Sequence, residues 1–213
     1  MKNKILEMLV LQEKMNTKVN PNWKTANYCW TDAIMVEAVE AIEHYGWKWW
    51  KKQDPNIGQV KMELVDIWHF ALSHAIVESG LTIEELSLQI TNSFNKEDWI
   101  SEGHISFIDY MKDVIRGSTN NSFSGASFFF AMDKIGMSFE ELYCMYTGKN
   151  ALNNFRQDNG YKTGTYNKDW NGKEDNEYLM FLINNSIEYF DIKNNFYDFI
   201  YNELKNKYNE LNK

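Results

Sequence analysis

The sequence predicts an all-α, single-domain protein, and three observations carry that expectation. Apolar residues recur at helical spacing along most of the chain, only two prolines interrupt 213 residues, and no segment alternates convincingly as a strand. With 44% hydrophobic and 15% aromatic residues, the chain has enough apolar material for a continuous core and is not a disordered composition.

Each element follows from a local pattern. Residues 3–16 place Ile5, Leu6, Leu9, Val10 and Met15 on one helical face, and the segment around Pro21 ends it. A second helix is expected over 27–50, its apolar residues being Ala33, Val36, Ala38, Val39, Ala41 and Ile42. The loop signal QDPNIG leads to a third helix over about 57–79, closed before Gly80. Thr82 and Glu85 form a capping box for a short helix to about Asn92. Residues 95–137 are expected to hold two helices, near 105–116 and 124–135, split by the loop GSTNNSFSG. Ser138 and Glu141 give a second capping box, opening a helix that carries LYCMY and KNALNNFR. Gly160 and Gly164 mark a polar stretch over 157–175, and residues 176–209 read as two amphipathic helices. The expected layout is one domain over 1–213, with a four-helix core from about 3–93 and 138–156, a flap at 157–175, and C-terminal helices at 176–209.

The net charge of −8 argues against nucleic acid as a partner, although metal ions can still let an acidic protein hold an anionic substrate. Cys29 and Cys144 lack any CxxC spacing, which suits a reduced, intracellular protein. The opening MKNKILEMLVLQEKMN is amphipathic and charge-interrupted, so neither a signal peptide nor a membrane span is expected, and the cytoplasm is the default.

The chemistry concentrates in acids. Glu37 and Glu40 share one face of the second helix, as Glu63 and Asp66 do on the third. Antiparallel packing across the short loop brings all four together, where like charges raise each other's pKa unless a cation neutralises them. Oxygen ligands without cysteine favour magnesium, or manganese in its place, over zinc, and such ions template phosphoanhydride hydrolysis. The competing reading is a set of solvated surface acids paired with Lys48, Lys51 or Lys61.

Two further segments bear on an anionic ligand. In GWKWWKK (46–52), Lys48, Lys51 and Lys52 can meet phosphate oxygens and an indole can face a base; equally, this is an aromatic helix end with snorkelling lysines. In the polar stretch, Lys149, Arg156, Lys162 and Lys168 are interleaved with Asn, Gly and Tyr, a composition fit for a basic flap over a triphosphate; the alternative is a hydrophilic surface loop. His69 reads as structural, and His44, His74 and His104 show no ligand spacing.

Four blocks, LVLQEKMN (9–16), EAVEAIEHYGWKWWKK (37–52), ELVDIWHF (63–70) and YTGKNALNNFRQDNGYKTGTYNKDWNGKEDN (146–176), together resemble the dimeric, all-α dUTPase family. The paired acids alone are shared with the wider MazG-like pyrophosphatases, and the fourth block narrows the resemblance. It implies that Glu37, Glu40, Glu63 and Asp66 coordinate magnesium, and that one of the first two, with Glu37 preferred, deprotonates the attacking water. It implies Gln12 and Asn16 as uracil-reading amides, Trp49 as the stacking indole, and Lys48 as a further substrate contact. Lys149, Asn153, Arg156, Tyr161, Lys162 and Lys168 are the implied flap residues. The implied reaction converts dUTP and water to dUMP and pyrophosphate by attack at the β-phosphorus, accepts dUDP, and takes place in a homodimer. The rivals are a dCTPase or broader MazG-like enzyme, and a non-catalytic helical interaction protein on the same scaffold.

Overall fold

In the computed structural model, which describes residues 1–93, 105–186 and 196–211, the long elements are all helices. They are α1 (Lys2–Val19), α2 (Trp30–Tyr45), α3 (Ile57–Glu78), α4 (Ile83–Ser93), α5 (Phe107–Thr119), α6 (Gly125–Lys134), α7 (Phe139–Asp158), α8 (Asp175–Ser186) and α9 (Phe196–Leu211). No strand forms among the described residues; a single isolated bridge joins Asp169 and Glu174. His104, with the rest of 94–104, and residues 187–195 of the expected C-terminal helices lie outside the described residues.

Packing is organised around α3. Most positions from Val60 to Ser73 are buried, because α1, α2, α4, α6 and α7 all pack against this one helix. Each large apolar side chain buried there contributes roughly 1.5–3 kcal/mol, so α3 is a firm mount for the acids it carries. Its first turn is capped by Asn56, whose side chain accepts from the Gln59 backbone N–H at 3.2 Å. The Thr82–Glu85 capping box forms as expected, with bonds of 2.9 and 3.2 Å. At α7 the Ser138 hydroxyl accepts from the Glu141 N–H, while the Glu141 carboxylate meets Lys61 at 2.7 Å and ties α7 to α3.

Two expectations fail on α2. The helix stops at Tyr45 rather than near residue 50, because Gly46 adopts φ +81° and the Asn56 N–H takes the His44 carbonyl. The tryptophan corner is therefore a turn, with Trp47, Trp49 and Trp50 in edge-to-face contact rather than arranged along a helix. Val36 and Val39 also fall outside the core. The buried stripe is Thr31, Ile34, Ala38 and Ala41, which leaves both valines about half exposed on the opposite side.

The stretch expected to be a flap is rooted in the core. Tyr166 and Trp170 are buried, and both meet the Phe155 ring of α7 edge-on while packing on Tyr208 of α9. Gly160 starts the segment at φ +89°, and its carbonyl accepts from the Thr165 N–H at 3.0 Å. A Cβ there would meet Thr165 Oγ1 at 2.0 Å, so this turn requires glycine.

Candidate active site

Antiparallel packing of α2 on α3 sets the acids against each other. Carboxylate oxygens of Glu37, Glu63 and Asp66 lie within 4.8 Å of one another, whereas Glu40, exposed, stands outside that group while facing the same cavity. Burial, then the Asp66 charge, pushes Glu37 up to about 7, and burial, Asp66 and Glu37 push Glu63 up to about 8. His44 Nε2 approaches Glu63 Oε1 at 3.5 Å. This donor set, all oxygen with one imidazole alongside, suits a hard divalent cation.

Both raised carboxyls bind protons more readily in the folded chain than in the unfolded one, where the value is 4.5. The folded state therefore holds the extra protons between about pH 4.5 and pH 8, and stability falls as pH rises through that window. Scanning calorimetry in EDTA is expected to show a melting temperature that declines between those limits, and Mg²⁺ should abolish the decline. A flat profile in EDTA would mean that the acids do not share one confined site.

The other side of the site carries three basic side chains. Lys149, buried on α7, reaches Asp66 Oδ2 at 2.8 Å and Asn176 Oδ1 at 3.1 Å. Arg156 donates from Nε and Nη2 to Asp175 at 2.9 and 2.7 Å, with Asn153 3.4 Å from Nη1. The Tyr161 ring lies between Arg156 and Lys168, at 5.8 and 5.3 Å from its centroid. A cavity of about 610 Å³ joins the two sides. Glu37, Glu40, His44, Glu63 and Asp66 lie on one wall, and Lys149, Asn153, Arg156, Tyr161, Lys168 and Asn176 lie on the other, together with Glu174 and Glu177.

The remaining residues singled out in the sequence lie outside this lining. Lys162 donates to the Val19 carbonyl at 2.7 Å, fastening the flap to the end of α1. Lys48 pairs with Glu43, and its backbone N–H meets Gln53 Oε1 at 2.7 Å. Trp49 is 89% exposed.

Gln12 and Asn16 are buried in a directed hydrogen-bond relay. Ser73 donates to the His69 carbonyl at 2.9 Å, which leaves its oxygen to accept from Asn16 Nδ2. Asn16 Oδ1 accepts from Gln12 Nε2 at 3.0 Å, and Gln12 Oε1 then faces the Tyr146 hydroxyl at 2.8 Å and His69 Nδ1 at 2.7 Å. An amide oxygen only accepts, so Nδ1 carries the proton and Nε2 is left as a lone pair with no hydrogen-bond partner among the described residues. Burial pushes His69 down to about 3 and keeps it neutral. One N–H on each amide is likewise uncommitted.

Sequence reasoning missed several of these groups. His44 continues the stripe of Glu37 and Glu40 at i+7, and that spacing could have found it. Asp175 and Asn176 lie at the end of the fourth block, where nothing local signals that they meet Arg156 and Lys149.

A trio of confined carboxylates that could hold a metal ion faces a lysine- and arginine-bearing wall across one cavity of an all-α protein. The chain belongs to the dUTPase family: the family model described as dUTPase matches residues 4–161. The match bears out the resemblance carried by the four blocks, and with it the chain is an enzyme that hydrolyses dUTP. It covers Gln12, Asn16, the four acids, Lys149 and Arg156, and ends before Lys162, Lys168 and Asp175. Among curated proteins, none matches the chain.

Proposed function

We propose that the cavity performs magnesium-dependent conversion of dUTP to dUMP and pyrophosphate, and of dUDP to dUMP and phosphate. The observation that carries this reading is the three-carboxylate cluster, because acids held at raised pKa call for a cation. Glu37, Glu63 and Asp66, with Glu40 beside them, would hold Mg²⁺, or Mn²⁺ in its place. When bound, the ion supplies Lewis-acid stabilisation of phosphate charge.

The chain's own groups do the rest. Lys149, Arg156 and Lys168 bind the phosphates, with Asn153 and Tyr161 setting the arginine and lysine beside them. Glu37 takes a proton from the attacking water as its oxygen bonds to the β-phosphorus and dUMP departs. Uracil offers an acceptor, a donor and an acceptor along its pairing edge. The uncommitted amide N–H groups of Gln12 and Asn16 can donate to the two uracil carbonyls, and the Nε2 lone pair of His69 can accept from the N3–H.

Lys48, Trp49 and Lys162 enter this reading less directly. Trp49 is exposed, as are Val36 and Val39 of α2, and a second copy of the chain covering these apolar groups would form a homodimer. Cys29 and Cys144 form no disulfide, and no described helix is long and apolar enough to cross a membrane; both fit action in the cytoplasm.

The test is pyrophosphate release from dUTP, dCTP and dTTP with Mg²⁺ and with EDTA. Release from dUTP alone, and only with Mg²⁺, is expected. Equal rates on dCTP would remove the uracil reading, and turnover in EDTA would remove the metal. Light scattering on the same sample should give twice the 25.2 kDa chain mass.

A further inference from the structure

We propose that Asp175 is the positioning residue of the phosphate-binding wall. The proposal rests on the reading that this wall holds the phosphates, and it concerns a residue beyond the family match.

Asp175 is fully buried at the first position of α8. Its carboxylate accepts three hydrogen bonds: from Arg156 Nε at 2.9 Å, Arg156 Nη2 at 2.7 Å and the Tyr166 hydroxyl at 2.8 Å. Its backbone N–H donates to the Lys168 carbonyl at 3.0 Å. The neighbouring Asn176 side chain accepts from Lys149 at 3.1 Å and lies 3.3 Å from Arg156 Nη2. One residue and its neighbour therefore bond the side chains of Arg156 and Lys149 and anchor the backbone of Lys168.

The edge that Asp175 grips matters. With the Nε–Nη2 edge committed to Asp175, Nη1 is left for the cavity that Arg156 lines; its hydrogen bond there among the described residues is to Asn153 at 3.4 Å, a long bond that an anion can replace. An arginine held this way is aimed before the anion arrives, so its rotamer entropy is not lost again on binding. The buried tyrosine completes the grip: its hydroxyl binds the same carboxylate oxygen that meets Nε, which holds the carboxylate plane against the guanidinium. Asp175 touches no substrate in this arrangement and acts through Arg156, Lys168 and Asn176.

Calorimetry on the full chain with Mg²⁺, using inorganic pyrophosphate and deoxyuridine as separate probes, tests the proposal. Asp175→Asn, checked for the wild-type circular-dichroism spectrum, is expected to weaken pyrophosphate roughly tenfold or more and to leave deoxyuridine unchanged. Unchanged pyrophosphate affinity overturns the proposal, and so does equal weakening of both probes, which would mean a general loosening of the fold. Added to Arg156→Gln, the same change is expected to cost less than about twofold further, and full additivity overturns it. If Arg156→Gln alone leaves pyrophosphate binding intact, the reading of the wall fails instead. Should Asp175→Asn not fold, Tyr166→Phe removes one of the three donors. It is expected to weaken pyrophosphate about threefold with deoxyuridine unaffected, and no change overturns the proposal.

Discussion

Replacing Glu37 with glutamine is expected to lower kcat by about three orders of magnitude while raising the melting temperature of the metal-free protein. The two effects share one cause. Burial, then the charges of Asp66 and Glu40, hold the Glu37 pKa near 7, against the lowering effect of its hydrogen bond with Glu63. An amide of the same shape removes one of the like charges, so the folded chain is relieved of repulsion. The same amide cannot take a proton from water and ligates a hard cation poorly, so turnover is lost. Single-turnover assays on dUTP with Mg²⁺, set beside calorimetry in EDTA, read both quantities. A variant that loses activity and stability together would show that Glu37 is a packing residue.

Lys149→Met is expected to move stability the other way. The Lys149 ammonium is 3% exposed and bonded to Asp66, so in the metal-free chain it is the cation that offsets the acid cluster. Methionine fills the space of the stem but leaves Asp66 beside two further acids with no counter-charge. Breaking a buried pair in this way costs about 3 kcal/mol at the low end, or roughly 6–12 °C in a chain of this size. Mg²⁺ should recover most of that loss, because it supplies charge to the same oxygens. Activity should not recover: kcat/KM is expected to stay down about a hundredfold, since the lost amine is also a phosphate ligand. Melting curves in EDTA and Mg²⁺ and steady-state kinetics decide it. A variant equally unstable with and without Mg²⁺ would mean that Lys149 does not stand in for a cation.

The carboxylate side of the site was legible because its signal is local. Glu37 and Glu40, and Glu63 and Asp66, are each three residues apart on a helix, and a short loop leaves their helices little choice but to pack as neighbours. His44 belongs to the same stripe, although its spacing to the other histidines marks no ligand set. The end of α2 falls at Tyr45 and not near residue 50, because Gly46 in the left-handed region stops the helix before the aromatic and basic run of 47–52. Val36 and Val39 were counted as apolar without their helical phase, which turns them away from Ile34, Ala38 and Ala41. The remainder depends on long-range contact. Nothing near Asp175 in sequence announces Arg156, and nothing near His69 announces that Gln12 will fix its tautomer; both pairings exist only once α7, α8, α1 and α3 have packed.

The two walls of the cavity are written in separate stretches of the chain, the acid cluster between residues 37 and 66 and the cations between 149 and 168, with Glu174 and Glu177 following them. A substitution in the later stretch changes which anion is gripped, and how long a phosphate tail fits, while leaving the acid cluster intact. The two walls are thereby encoded largely apart, with Lys149 bonded to Asp66 as a direct seam between them. That seam is where a change on either wall has to suit the other.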